Sequence, residues 1–461
     1  MRPSVIRGLA SRRRFWIAVL LLVGGWFRIV AIDTTVIDTP LRADAMDYYA
    51  SAHNLVHHGV YSRSQATLID PGAKPVPDAY RPPGMPLLIA PFMHLSPQHM
   101  KIVARVQLVN VIAGLVAIVA IFLAAAAVLP LPAAVAVGLL TACSPQLISL
   151  STYVLSETPA ACLVAALLAL AAVAPPADRR ARAGLFLALG AIVGCLSLFR
   201  PAFLAFAPLL ALAYAGRGHA REAAIFASLG AAVIVAPWVV RNLVSVPGGE
   251  APSLFARTML EGAYRGYVYA GDPATFPYGA RADPRFRELV VSPERVLAEV
   301  VQRLAASPVS QLTWYLFQKP VFLFQWSNVD GMGDIFVYPI AASPFLSNPV
   351  FAVVRAAYRF SHALLLILGA LGAVAAWRTA NMQSLGAQAQ TVLRMASLLL
   401  AFIYLVHLPF FVAARYLAPV LPAIYLLAAF AVVAAGRALR NRGGSRDDAG
   451  AIREDRGRIR R

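Results

Sequence analysis

The stretch 101–132, KIVARVQLVNVIAGLVAIVAIFLAAAAVLPLP, decides the fold. After Arg105 it contains no charged residue. It exceeds the roughly 20 apolar residues that a bilayer-spanning helix needs. Its closing Leu-Pro-Leu-Pro lacks two backbone donors and reads as a tight turn into the next apolar run. Similar runs recur along the chain. Of 461 residues, 59% are hydrophobic and 14% charged, with mean hydropathy +0.66. A soluble domain carries about a quarter charged residues. The expected fold class is therefore an all-α polytopic membrane protein.

The formal net charge is +19. Basic residues gather at Arg12–Arg14, in the short loops ADRRARA and GRGHARE, and in the tail RALRNRGGSR. That is the positive-inside pattern of a membrane protein and argues against a nucleic-acid partner. Membrane lipids are the expected surroundings. Cys143, Cys162 and Cys195 lie in or beside apolar runs without metal-ligand spacing and read as small packing residues. The first apolar run follows basic residues as a signal peptide would, but it lacks a small-residue cleavage site and is expected to be a retained first helix.

Helices are expected at about 15–32, 101–128, 132–150, 158–174, 184–199, 201–216, 222–240, 353–377, 394–413 and 416–436. Orienting them by Lys and Arg puts every short basic loop inside and two longer polar segments, 33–99 and 241–350, outside. Within the second segment, LTWYLFQKPVFLFQW is apolar and aromatic enough to lie at the interface or dip into the bilayer. The domain reading is a membrane domain over 1–436 followed by a basic, disordered cytoplasmic tail, 437–461. No internal repeat of the kind many transporters show is visible.

In the first outer segment, Tyr48, Ala52 and Leu55 recur at helical spacing from Asp44 to His58, and Gly59 is a natural stop. Asp44 suits a helix N-cap and Asp47 a capping-box acid. Both would also serve as carboxylates near the membrane surface, able to take a proton or bind a cation. His53 and His57 share a face. Without a third ligand they read as interfacial polarity rather than a metal site, and no metal ligands are assigned. The segment closes with Arg81, Pro82, Pro83 and Gly84. The arginine fork matches phosphate oxygens, the prolines stiffen the step, and backbone at glycine approaches a ligand closely. Headgroup anchoring would account for the same residues. Glu157 stands at the outer end of a span, where Ser156 and Pro159 also fit a helix start. Arg200, Arg241 and Arg415 each fall at the outer end of a span, against the positive-inside bias. Snorkelling to lipid phosphate explains any one of them. Together with Arg81 and the acids they read better as an anion site beside a base.

These motifs resemble the GT-C glycosyltransferases of family 39, the group that includes protein O-mannosyltransferases and the lipid A aminoarabinose transferase. The resemblance rests on Asp44, Tyr48, Ala52, Leu55 and Gly59, then RPPGMPL, LSET, PWVVRN and RYLAPVLP, in that order between about residues 15 and 436. Two positions depart from the family pattern: Ala45 where many members have Glu, and Arg81 where many have Lys.

The resemblance implies a GT-C-like bundle of ten or more spans, with outer loops carrying short amphipathic helices. It implies transfer of a sugar from a polyprenyl phosphate to a hydroxyl of a glycan, lipid or protein. Asp44 would be the base, with Asp47 and Glu157 orienting the acceptor, or a divalent cation if one is used. Arg81, Arg241, Arg415, Tyr416 and Arg200 would hold the donor phosphate, and Tyr48, Pro82, Pro83 and Gly84 would position substrate. The Ala- and Arg-rich composition points to a bacterial inner membrane with the site facing the periplasm. The competing readings are a ligase or polymerase using a diphosphate-linked glycan, and a transporter or flippase.

Overall fold

The structure is a computed structural model describing residues 3–70, 72–95, 98–246, 253–266, 283–328, 333–378 and 385–458, with side chains placed from 12 to 440. It is almost entirely helical. Among the described residues, seven helices are long and apolar enough to cross a membrane: 12–34, 99–126, 179–199, 220–245, 349–375, 387–407 and 414–440. The chain is thus an all-α, multi-pass membrane protein. Three of the ten expected spans are shorter than that: Leu131–Ala142, Glu157–Ala171 and Pro201–Arg217.

The expected helix 132–150 is broken, because Pro145 cannot donate back into the preceding turn. A break at this depth must have its carbonyls satisfied from elsewhere. Arg28, 1% exposed, reaches across from the first span to do so. It donates to the Ala142 carbonyl at 3.0 Å and the Thr141 carbonyl at 3.4 Å. The Tyr358 hydroxyl donates to the Leu140 carbonyl at 2.8 Å. The irregular stretch that follows hangs from the 99–126 helix: Gln107 donates to the Thr152 carbonyl at 2.7 Å and Asn110 to the Tyr153 carbonyl at 2.9 Å. This chain of contacts sets the height of Glu157.

The helix Arg179–Phe199 packs on Ala220–Ser245 at small residues. A Cβ on Gly190 would fall 2.0 Å from the Ala227 carbonyl oxygen, and one on Gly230 would fall 2.2 Å from that of Leu187. Backbone contact that close is how helices associate where no hydrophobic driving force separates protein from lipid.

The region 241–350, expected outside, contains the helices Leu254–Ala263, Pro293–Ala306 and Pro308–Thr313 among its described residues. The apolar stretch 312–326 continues from the last of these through a π-helical turn, Trp314–Gln318, into Lys319–Phe324. A short antiparallel pair, β1 (Val36–Ile37) with β2 (Ile340–Ala342), ties the segment 33–99 to this region. The expected helix 394–413 ends at His407, and the chain enters a 3-10 turn, Ala414–Val420, before the last helix. Pro409 and Pro419 deprive a regular helix of donors there. The last helix is Leu421–Arg458, so its backbone continues past Arg437. Alanine and arginine recur through that segment, and both are strong helix formers.

Candidate active site

The segment 33–99 forms the expected helix, Asp44–His58, stopped by Gly59 in the left-handed region at φ 67°. The capping expected of its acids does not occur, and no side chain caps this helix. The N-cap is Ala43, held at φ 46° and ψ −122°, a conformation that favours glycine. That bend turns Asp44 and Asp47 towards arginines instead.

Arg81 lies between the two acids. It donates to Asp44 Oδ1 at 2.6 Å and, through Nε, to Asp47 Oδ2 at 2.8 Å. Its guanidinium stands 5.7 Å from the Tyr48 ring and 5.3 Å from the Tyr80 ring. The stiff step that follows is fixed on two sides. The Tyr61 hydroxyl lies 2.9 Å from the Arg81 carbonyl and 3.2 Å from that of Pro82. Gly84 packs on the end of the 179–199 helix so closely that a Cβ would fall 2.7 Å from the Leu198 carbonyl oxygen. The prolines therefore hold Arg81 beside Arg200, the residue that ends that helix.

The other acid oxygens meet the late arginine. Arg415 Nη2 is 2.8 Å from Asp44 Oδ2, and its Nη1 is 3.5 Å from Glu157 Oε1. Arg200 Nη2 lies 2.8 Å from the same Glu157 oxygen. Tyr416 spreads beneath both arginines, its ring 4.9 Å from the Arg200 guanidinium carbon and 5.4 Å from that of Arg415. Asp44, Asp47 and Glu157 thus form one network with Arg81, Arg200 and Arg415, buried at Glu157 and Arg415 and half-buried elsewhere. Its members come from five separate elements.

Electrostatics follow from that packing. Burial alone would push the Asp44 carboxyl up. The Arg81 and Arg415 charges outweigh it and hold the group well below the usual carboxylate range. Burial works against the Arg81 charge too, but Asp44, Tyr48 and Asp47 keep it firmly protonated. Tyr48 is pushed up to about 12, by burial first and by Asp44 second, so it is a neutral hydroxyl at any working pH.

Several polar atoms in the network have no hydrogen-bond partner among the described residues: Glu157 Oε2, Arg200 Nε and Arg415 Nε. Buried polar atoms of this kind are normally satisfied, so a cluster of them marks a place where something else binds. Four of its members, Asp44, Arg81, Glu157 and Arg200, line a cleft of about 160 Å³ together with Pro82, Tyr416 and His407.

Arg241 is not in this cleft. It donates to the Tyr61 carbonyl at 2.8 Å and the Asp78 carbonyl at 2.6 Å, fastening the segment 33–99 to the 220–245 helix. Pro83 lies with it, along a separate groove of about 450 Å³. His53 and His57, with ring centroids 4.6 Å apart, line a third cavity of about 1000 Å³. Among the described residues no group of three or more His, Cys, Asp or Glu side chains is placed to hold a metal. In the network itself each acid gives at least one oxygen to a guanidinium.

Two residues of the site are absent from the sequence reading. His407 lines the cleft with its ring 5.5 Å from that of Tyr416. Tyr338 is buried with its hydroxyl unpartnered; burial raises its pKa first, and the Asp44 charge adds to the effect. For His407 a signal existed: an ionisable residue inside an apolar run. For Tyr338 there was none.

No family model and no curated protein matches the chain. Solved structures do. The oligosaccharyltransferase of Archaeoglobus fulgidus, tethered with an acceptor peptide, matches at TM-score 0.50 and 16% identity, over 91% of this chain and 49% of that one. The same enzyme in its apo form matches at TM-score 0.50 and 15% identity, over 93% and 52%. ArnT from Cupriavidus metallidurans, bound to undecaprenyl phosphate, superposes at TM-score 0.40 and 16% identity, over 91% and 77%. The chain spans about half the length of the oligosaccharyltransferase structures it matches. At these identities the likeness shows the fold: the chain has the polytopic, all-α GT-C fold.

Proposed function

We propose that the chain is a glycosyltransferase that takes a hexose or pentose from a polyprenyl phosphate donor and passes it to a hydroxyl of a cell-envelope acceptor. The observation that carries this reading is the Asp44–Arg81–Arg415 network with Glu157 and Arg200, open to one cleft. The acceptor oxygen attacks the anomeric carbon. The bond from that carbon to the phosphate oxygen breaks, and the electron pair leaves with the polyprenyl phosphate. That leaving group needs fixed positive charge, which Arg81, Arg200 and Arg415 supply in a water-poor site.

The acceptor proton needs a base, and Asp44 is the candidate. Held below the usual range, it is ionised throughout the working pH but weakly basic. It would therefore take the proton late, once attack is advanced. Glu157 would orient the acceptor through Oε2, and Asp47 would hold Arg81 in place. Direct displacement inverts the anomeric centre. The motif likeness to family 39 supports the monophosphate-linked donor, as does the tight 160 Å³ cleft. The Archaeoglobus oligosaccharyltransferase, of the same fold, was captured with an acceptor peptide, which is in keeping with an acceptor-transfer role here. The proposed location is a bacterial inner membrane with the cleft facing the periplasm.

The test is release of free polyprenyl phosphate by the detergent-purified protein, given a panel of polyprenyl-phosphate sugars and membrane extract as acceptor source. Wild type should consume one donor, and Arg81→Ala should lose at least 100-fold. Consumption that Arg81→Ala leaves intact would remove Arg81 from the donor site.

A further inference from the structure

We infer that His407 is a substrate-contacting residue whose Nε2 accepts a hydrogen bond from a neutral sugar hydroxyl in the cleft. The inference deepens the transferase reading and rests on it for the occupant's identity.

His407 closes the last turn of the Ala387–His407 helix, just before the chain leaves regular structure. Its Nδ1 lies 2.8 Å from the Ile403 carbonyl oxygen. A carbonyl only accepts, so Nδ1 carries the proton, and in the neutral ring Nε2 is left as a bare lone pair. Among the described residues Nε2 has no hydrogen-bond partner, and the residue lines the cleft shared by Asp44 and Glu157. The ring packs on Tyr416, which also meets the Arg200 and Arg415 guanidiniums.

This placement selects chemistry. A lone pair repels a phosphate oxygen. A substrate ammonium would meet the Arg200 charge across Tyr416. A neutral hydroxyl suffers neither and can donate to Nε2. The occupant class is therefore a hydroxyl-bearing sugar without a cationic group at that position.

Diethyl pyrocarbonate reacts with unprotonated imidazole nitrogens, and peptide mass spectrometry locates the product. In the purified full-length protein at pH 7, His407 should react, and a panel of neutral hexose 1-phosphates should slow that reaction by about fivefold. Inorganic phosphate, which the arginines of the cleft also attract, should slow it markedly less, as should the corresponding amino-sugar phosphates. No reaction at His407 would show that Nε2 is not open. Equal protection by inorganic phosphate would show a plain anion site. Either result overturns the inference.

Two variants supply an independent arm. His407→Asn keeps a donor for the Ile403 carbonyl but withdraws the cleft acceptor, and His407→Gln restores an acceptor near Nε2. Asn should raise the donor KM about 3- to 10-fold, the worth of one hydrogen bond, with kcat little changed. Gln should recover most of it. Unchanged KM in the Asn variant would also overturn the inference. If no donor is consumed by wild type, the transferase reading fails, and the protection experiment still decides whether His407 meets a sugar hydroxyl.

Discussion

Asp44→Asn separates chemistry from architecture at the centre of the network. The change keeps size and shape and removes one negative charge. Asp44 accepts from Arg81 at 2.6 Å and from Arg415 at 2.8 Å. Breaking a buried ion pair by removing one partner costs about 3–5 kcal/mol, most of it from the charge left uncompensated. Here each arginine keeps a second acid: Arg81 has Asp47 at 2.8 Å, and Arg415 has Glu157 at 3.5 Å. The loss should therefore lie at the low end, about 3 kcal/mol, read as a fall of a few degrees in the thermal unfolding midpoint. The activity loss should be larger, because a general base contributes about 10²–10⁴-fold. The pH dependence follows from the sign of the shift. A carboxylate whose folded pKa is depressed stabilises fully above its unfolded value and loses that contribution only as pH falls through the folded one. Between pH 5 and 8 the midpoint difference between wild type and Asp44→Asn should stay flat. Donor turnover and unfolding are measured on the same preparations. Turnover within threefold of wild type would refute the base assignment, whatever happens to the midpoint. A lowered midpoint with intact turnover would make Asp44 a strut for two arginines.

Arg241→Ala frees the segment 33–99 from the 220–245 helix, so trypsin should cut at Arg63 or Lys74 several times faster; an unchanged digestion rate would mean other contacts hold the segment. Ala43→Gly relieves a positive-φ residue and should raise stability by about 1 kcal/mol, read as a higher unfolding midpoint; no rise would show that the bend is unstrained. Lys319 is fully buried against the Gly262 carbonyl and the Tyr315 ring, and burial lowers its pKa to about 7. Between there and the ordinary lysine range of about 10.4 the unfolded chain holds a proton that the folded one has shed, so stability should climb with pH across that window. Lys319→Met should abolish the climb and raise the midpoint at pH 7. Parallel pH profiles for the two proteins would show that Lys319 does not titrate there.

The sequence makes some of this architecture readable and hides the rest, for physical reasons. Apolar runs and basic loops are local signals, so the long spans and the Asp44–His58 helix can be bounded from the chain alone. The arginines expected outside are conspicuous because they break the positive-inside bias; Arg81 and Arg200 do share one cleft, and Arg415 joins them through its ion pairs to Asp44 and Glu157. Arg241 breaks the same bias yet faces backbone carbonyls instead, since charge at a helix end does not say which acceptor it will meet. The broken helix at Pro145 needed knowledge of Arg28, which lies more than a hundred residues earlier and supplies the missing donors. Capping statistics also mislead at Asp44. Its carboxylate favours two guanidiniums over a backbone N–H, and the bent Ala43 is what permits that choice.

The elements that make the cleft share one property: each stops being regular where it reaches the site. The 44–58 helix begins at a strained residue, the 179–199 helix ends at Arg200 before Pro201, and the 387–407 helix gives way to a 3-10 turn carrying Arg415. Glu157 follows an irregular stretch held by Gln107 and Asn110. In hydrocarbon, irregular backbone persists only where protein or a polar cavity satisfies it. Four such ends at one place concentrate unsatisfied polar groups there, and the side chains beside them are charged. That combination suits a substrate bringing both a phosphate and a sugar to the membrane surface. A transporter would be expected to place its charges near the bilayer midplane between repeated halves. Here the charged network sits where helices end.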